Sequence, residues 1–486
     1  MKTLKRWLFI FHRWLGVVLC LWFALLFASG IIMMYVEYPE LTEAERVSQL
    51  QPLNFAAMRL SVVEAAQRSG KQAFSNIRLA QVMGRPAYQL TDDAGSLSTV
   101  FADDGSLLEG VTVQQAIAAA HTSGFAGKDV QPAYAGLLEM DQWTVSSALN
   151  SSRPLHKVEL NDADGTELYI SDHSGQVVRD SIRSERAWNW LGSTVHWIYP
   201  WQLRRHATVW SNLLIYLSLA GVFSVLSGAV LGYWRLRVKQ RYYGVSVTPY
   251  QGIQRWHHLL GLAFLVFVST WIFSGLMSMS PWHIFDNATE PQPQELRYQR
   301  GLLEDLSGFP ELGAAPTDSA VPLKEVEWRQ VGGTHYLVLS RSATDKSVVL
   351  PGGLNEKSGL LNLVSANVAA LQPAATLLDQ QVQSSFDSWY YTHHNRYRPL
   401  PVLRVRFDDA ESSWYYLDLS TGALVQRLTY TDRWARWLYN GLHSLDFAFL
   451  FQHRPLWDFT VIVLCLCGFS FALTSVVLAW RRLQRS

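Results

Sequence analysis

The residues of this chain best placed to do chemistry are histidines, and they come in matched pairs. Arg186 to Trp210 reads RAWNWLGSTVHWIYPWQLRRHATVW, and Arg433 to Trp457 reads RWARWLYNGLHSLDFAFLFQHRPLW; the two superimpose without a gap. His196 falls on His443, and His206 on His453. A second correspondence links His12-Arg-Trp-Leu-Gly16 with His257-His-Leu-Leu-Gly261, and the distance from histidine to the glycine of the following Ser-Gly, Gly30 or Gly275, is 18 residues in both. A lone histidine near a membrane interface is more often a polar anchor than a ligand. Equivalent positions in two halves change that weighting, because a pseudo-two-fold axis brings equivalent residues face to face. A haem iron takes two axial ligands from opposite sides. His12 with His257, and His196 with His443, satisfy that requirement twice. His206 and His453 rank second as ligands, propionate partners or interface anchors; Arg204, Arg205 and Arg454 beside them suit haem carboxylates. His258 has Arg13 at its matching position and so lacks a histidine counterpart.

The elements that must hold these residues are apolar. Of 486 residues 49% are hydrophobic and only 17% charged, and the charge is segregated. Trp14 to Tyr35, Trp210 to Trp234, Leu259 to Met279 and Phe459 to Trp480 contain no Asp, Glu, Lys or Arg. Each is long enough to cross a hydrocarbon layer of about 30 Å, which takes roughly 20 helical residues. The expected fold is a four-helix transmembrane bundle made of two parallel span-domain-span repeats, with two α+β external domains. Its divisions are 1–36, a first span; 37–209, external; 210–234, a span; 235–256, a basic loop; 257–280, a span; 281–456, external; and 457–486, the last span. The loop Arg235 to Trp256 has no acidic residue, and basic residues also precede the first span and follow the last. The positive-inside rule therefore predicts cytoplasmic termini and outward-facing external domains. Membrane lipid, not nucleic acid, is the expected partner of that basic charge. The three cysteines, Cys20, Cys465 and Cys467, lie inside the apolar runs, so the polar segments have no disulfides.

In the external segments, Ser61 to Gly70 has the spacing of an amphipathic helix, and Ile77 to Val82 and Ala87 to Leu90 read as strands. Leu168 to Gly175 and Tyr415 to Gly422 each predict strand, turn, strand. Pro281 to Pro322 predicts an irregular connection. Gly16, Gly30, Gly261 and Gly275 suit the close approach of a flat macrocycle or of a neighbouring helix. Trp389, Tyr391, His394 and Arg396 cluster in the second external segment as a candidate site for an aromatic or anionic ligand, an aromatic sheet face being the alternative. No nucleophile elbow, zincin motif, P-loop or dinucleotide fingerprint is present. A transporter is disfavoured, because the spans have no buried charge and no interior proline.

Asp141-x-Trp143, Arg153-Pro-Leu, Trp188-Asn-Trp190, His196-Trp, Leu203-Arg-Arg-His206, Trp256-His257-His, Ser274-Gly275, Arg398-Pro-Leu-Pro, Leu438-Tyr-Asn-Gly-Leu-His443 and Arg454-Pro-Leu-Trp457 together resemble the PepSY-associated transmembrane proteins over nearly the whole chain. The resemblance implies a bacterial inner-membrane protein with four spans and PepSY-like periplasmic domains, linked to iron acquisition. It further implies two b-type haems, with His12, His257, His196 and His443 as iron ligands, and ferric-siderophore reduction as the activity. The absence of flavin and nicotinamide motifs calls for an electron donor, a cytoplasmic reductase or quinol. The alternative is a non-enzymatic membrane protein whose PepSY-like domains bind a peptide, protease or transport partner.

Overall fold

The computed structural model describes residues 2–127, 130–285, 292–312, 321–354, 357–392 and 396–485. The chain folds as two compact units. One comprises Met1–Tyr38, Glu185–Asp286 and Asp432–Ser486; the other comprises Pro39–Ser184 and Asn287–Thr431.

The first unit is helical. Lys2–Met33, Ala207–Arg235 and Arg454–Leu483 are long and apolar enough to cross a membrane. A further apolar stretch consists of two helices, Gly252–Ala263 and Leu265–Met277, that meet at 69°, so the count is three spans, or four if the bent pair is one. The composition of Leu259 to Met279 predicts one uninterrupted helix, and the break at Phe264 departs from that expectation. No proline marks it. Both helices touch Ala207–Arg235, and Gly252–Ala263 packs in addition on the last helix. Lys2–Met33 lies along Arg454–Leu483 and also touches Ala207–Arg235. Phe27, Trp271, Ile272, Trp457, Val461 and Ala472 form the buried centre of this unit.

The second unit is α+β. The predicted helix spans Val62–Ser69; Ser61 and Glu64 close a capping box, and Gly70 ends it in the left-handed region at φ 70°. The strands are β1 Asn76–Val82, β2 Arg85–Thr91, β3 Leu97–Phe101, β4 Ala133–Leu138, β5 Leu155–Glu159, β6 Glu167–Ser171 and β7 Val177–Ser181. The second half adds β8 Glu325–Val331, β9 Thr334–Ser340, β10 Lys346–Leu350, β11 Gly353–Leu354, β12 Leu377–Gln383, β13 Val402–Phe407, β14 Trp414–Asp418 and β15 Leu424–Leu428. The strand, turn, strand expectations correspond to β6–β7 and β14–β15. The segment expected to be an irregular connection contains a helix, Gln292–Gln299; residues 286–291 and 313–320 lie outside the described residues.

Two four-stranded antiparallel sheets share one plan, β4-β5-β6-β7 and β12-β13-β14-β15. Their third strands even carry a register shift at the same place, between Tyr169 and Ile170 and between Tyr416 and Leu417. The remaining strands form a single seven-stranded sheet, β11-β10-β9-β8-β1-β2-β3, in which both halves of the chain take part. At the joint β1 runs antiparallel to β8, pairing Ile77 with Trp328 and Arg78 with Glu327. Ile77, Leu79, Tyr88, Val326, Trp328 and Leu337 bury one face of it.

Candidate haem-ligand site

Each candidate ligand is presented by a local feature of the helical unit. His12 lies within the first helix, and His257 within Gly252–Ala263. His196 ends the short helix Ser193–His196, which begins after a break at Gly192. His443 follows the π-helical turn Trp437–Gly441, a wide turn that often marks functional sites. Two residues beyond each of these last two histidines, Ile198 and Leu445 take positive φ values of 47° and 55°. Such a conformation is costly for a β-branched residue such as Ile198 or a bulky one such as Leu445, and is an indicator of a functional constraint. In both halves a tryptophan braces the returning chain: Trp210 Nε1 donates to Trp197 O, and Trp457 Nε1 donates to Ser444 O, both at 2.9 Å.

The structure brings the four histidines together two by two. The rings of His12 and His257 lie 6.4 Å apart between centroids, and those of His196 and His443 lie 6.1 Å apart. A hydroxyl from a neighbouring helix meets Nδ1 in every case. Ser227 Oγ is 3.1 Å from His12 Nδ1, Ser29 Oγ 3.0 Å from His196, Thr474 Oγ1 3.1 Å from His257, and Ser274 Oγ 2.9 Å from His443.

The direction of these bonds follows from the hydroxyl hydrogens. Ser29 donates to Leu25 O at 2.7 Å, Ser227 to Ser224 O at 2.9 Å, Ser274 to Trp271 O at 3.0 Å, and Thr474 to Phe471 O at 2.6 Å. With its hydrogen so engaged, the hydroxyl oxygen accepts from the imidazole at His12, His196 and His443, and the ring proton there resides on Nδ1; His257 Nδ1 has a second hydroxyl, Ser475 Oγ, at 3.2 Å. His12 Nδ1 also lies 3.1 Å from the carbonyl of Ser224, which can only accept and so requires the same tautomer. Nε2 is left with its lone pair and, among the described residues, without a hydrogen-bond partner. That is the metal-binding form of histidine with its ring oriented by an outer hydrogen bond.

These residues fit a haem. A metal–nitrogen bond of about 2.0–2.1 Å, with the ring centre about 1.1 Å further on, puts two opposed imidazoles about 6.3 Å apart between centroids. The measured 6.4 and 6.1 Å match it. Among the described residues no group of three or more His, Cys, Asp or Glu gathers as for a mononuclear metal site; a haem needs only two protein ligands. Ser29 follows His12 on one helix by 17 residues, about 25 Å at 1.5 Å per residue. The two pairs therefore sit near opposite ends of that helix. A cavity of about 590 Å³ adjoins the first pair, bounded by Phe23, Ser224, Gly228, Leu262, Val268 and Phe471 among others.

The remaining histidines differ. His258 is bonded through both nitrogens, Nδ1 at 2.8 Å from Thr248 Oγ1 and Nε2 at 2.9 Å from Gly232 O, and so has no lone pair to offer. His206 and His453 are exposed and occupy the N-cap positions of the helices Ala207–Arg235 and Arg454–Leu483 with closely similar backbone angles. Arg205 lies over the ring of Trp201, Arg204 over Tyr199 and Trp210, and Arg454 over Trp457 with Asp458 at 3.3 Å.

In the sheet unit Trp389 stands edge-on to Trp414 at 5.7 Å, Tyr391 is nearly buried, and Arg396 pairs with Glu40 at 2.6 Å. His394 lies outside the described residues. Sequence reasoning did not find Ser227 and Thr474 as imidazole partners, although the two stand at matched positions of the repeated helices. Nor did it find Gly228, where a Cβ would stand 2.7 Å from His12 Cε1.

A family model described as the PepSY-associated TM region matches residues 9–482. No curated protein matches the chain.

Proposed function

The chain belongs to the PepSY-associated TM family, and from that membership and its paired histidines we propose that it is a dihaem membrane electron carrier delivering electrons to an external acceptor. His12 and His257 would hold one b-type haem, and His196 and His443 the other. The observation that carries this reading is the pairing: imidazole rings 6.4 and 6.1 Å apart, each with a hydroxyl at Nδ1 and, among the described residues, no hydrogen-bond partner at Nε2. Bound haem supplies one-electron redox chemistry. The chain's own residues fix the imidazoles and separate the two sites along the helices.

The proposed arrangement is a four-helix bundle of two parallel repeats about a pseudo-two-fold axis, in a bacterial inner membrane with both termini cytoplasmic. Support comes from the basic, acid-free loop at 235–256 and from the shared plan of the two four-stranded sheets. The proposed donor is a cytoplasmic reductase or quinol. The proposed acceptor is a ferric siderophore, whose hard oxygen donors hold Fe(II) less well than Fe(III), so that reduction releases iron.

Purified from haem-replete cells, the protein is expected to be red, with absorption bands that shift on dithionite reduction. His443→Ala is expected to lose one haem of two. A colourless protein would instead support a non-enzymatic membrane protein that binds a peptide, protease or transport partner.

A further inference from the structure

The cavity beside His12 and His257 extends beyond them to Arg13, Arg481, Arg482 and Arg485, and among the described residues lining it there is no Asp or Glu. Other basic residues near these helix ends are engaged on aromatic faces: Lys5 lies 5.0 Å over Trp234, Arg235 5.1 Å over Phe9, and Arg237 4.5 Å over Tyr242. The positive-inside rule accounts for basic residues at a helix end. It does not account for four arginines sharing one cavity with a histidine pair.

We propose that this arginine-lined mouth is the carboxylate site for the tetrapyrrole held by His12 and His257, an inference that rests on the haem reading of that pair. The physical requirement is asymmetric. Two carboxylates left in hydrocarbon are costly, whereas the macrocycle is apolar. Phe23, Leu262, Val268 and Phe471 offer the apolar wall, and the arginines offer planar forks that bind carboxylates through two hydrogen bonds. The macrocycle is thereby oriented with its carboxylates toward the beginning of the first helix and the end of the last. The pair His196–His443 has no part in this cavity.

The test uses the full-length His443→Ala protein, which keeps only the His12–His257 pair, stripped and reconstituted with haem or with haem dimethyl ester. Loss to excess apomyoglobin is followed by absorbance. The free acid is expected to be retained at least tenfold longer than the ester. Arg13→Gln with Arg482→Gln should bring the two rates together while the bis-histidine spectrum persists. Equal retention of acid and ester with all four arginines present overturns the proposal, and this comparison stands even if the double substitution impairs folding. A ratio that stays tenfold in a folded double variant overturns it as well. Wild-type protein that binds no haem sinks the haem reading itself, a distinct outcome.

Discussion

At the residue scale, a hydrogen atom on each of four hydroxyls decides what the histidines can do. Because Ser29 and Ser274 already donate to Leu25 O and Trp271 O, they can accept from Nδ1 of His196 and His443 and leave Nε2 free for the proposed iron. Removal of such an outer partner typically costs 10–100-fold in metal affinity. Ser29→Ala or Ser274→Ala is therefore expected to weaken haem at that pair by about that factor, with the His12–His257 site unchanged, in a haem titration resolved by spectrum. An unaltered affinity would show that the hydroxyls do not orient the ligands. The same logic separates the bystanders. His258→Ala, His206→Ala and His453→Ala should each retain two haems by pyridine haemochrome assay, since His258 has both nitrogens bonded and the other two are exposed helix caps. Loss of a haem from any of them would reassign the ligands.

At the element scale, the helices are shaped by close contacts that small residues permit. Of the four glycines that sequence spacing singles out, Gly30 and Gly275 face the imidazoles of His196 and His443, where a Cβ would stand at 3.7 and 3.8 Å. Gly261 faces Phe471 at 3.0 Å, and Gly16 has nothing within 4 Å. Of the two anticipated uses, close approach of a neighbouring helix occurs at Gly261, while the contacts at Gly30 and Gly275 are of ordinary van der Waals length. The tightest contact with a candidate ligand was not anticipated: Gly228, whose Cβ would press on the His12 ring. Gly228→Val should displace His12 and remove one haem, whereas Gly16→Ala should keep both, as read by haem content in the purified proteins. The bend at Phe264 belongs to this scale too. Both helices it joins touch Ala207–Arg235, and Gly252–Ala263 packs in addition on the last helix, a contact between segments remote in sequence.

At the scale of the whole molecule, the two halves of the chain are joined through β1 and β8. Glu327 sits at that joint, 2.9 Å from both Asn76 Nδ2 and Arg329 Nη2 and 3.8 Å from Arg78 Nε. Burial alone would raise its pKa, but Arg329 and Arg78, with Asn76, hold it at about 2 instead of 4.5. Its folded-state pKa is depressed, so its stabilisation is complete above the unfolded value and is lost as pH falls from 4.5 toward 2. Glu327→Ala should cost about 1–3 kcal/mol by leaving the half-buried Arg329 and Arg78 without their carboxylate and should flatten the acid limb of the stability curve. Urea unfolding of the full-length protein between those pH values, followed by circular dichroism, checks both. An acid limb unchanged in the variant would remove Glu327 from the joint.

What the sequence by itself determined is which histidines are candidate ligands and how they pair between the two halves of the chain. Charge-free runs reveal segments that can enter a membrane because each ionised side chain there is costly, and an ungapped repeat pairs His196 with His443 before any coordinates exist. The strands around Ile77, Ala87, Leu168 and Tyr415 were legible for the same kind of reason, since alternation and turn residues are local signals. The tertiary structure decided what depends on neighbours remote in sequence. Ser227 and Thr474 are ordinary small residues on apolar helices until packing carries them to His12 and His257. The seven-stranded sheet requires β1 to meet β8 across nearly 250 residues, a pairing that no local pattern encodes. His258, adjacent to a proposed ligand, is set apart only by Thr248 and Gly232, whose oxygens engage both its nitrogens. Residue type supplies the capacity to bind a metal; the partners on the ring nitrogens, visible only in the fold, set His258 apart from the four candidates.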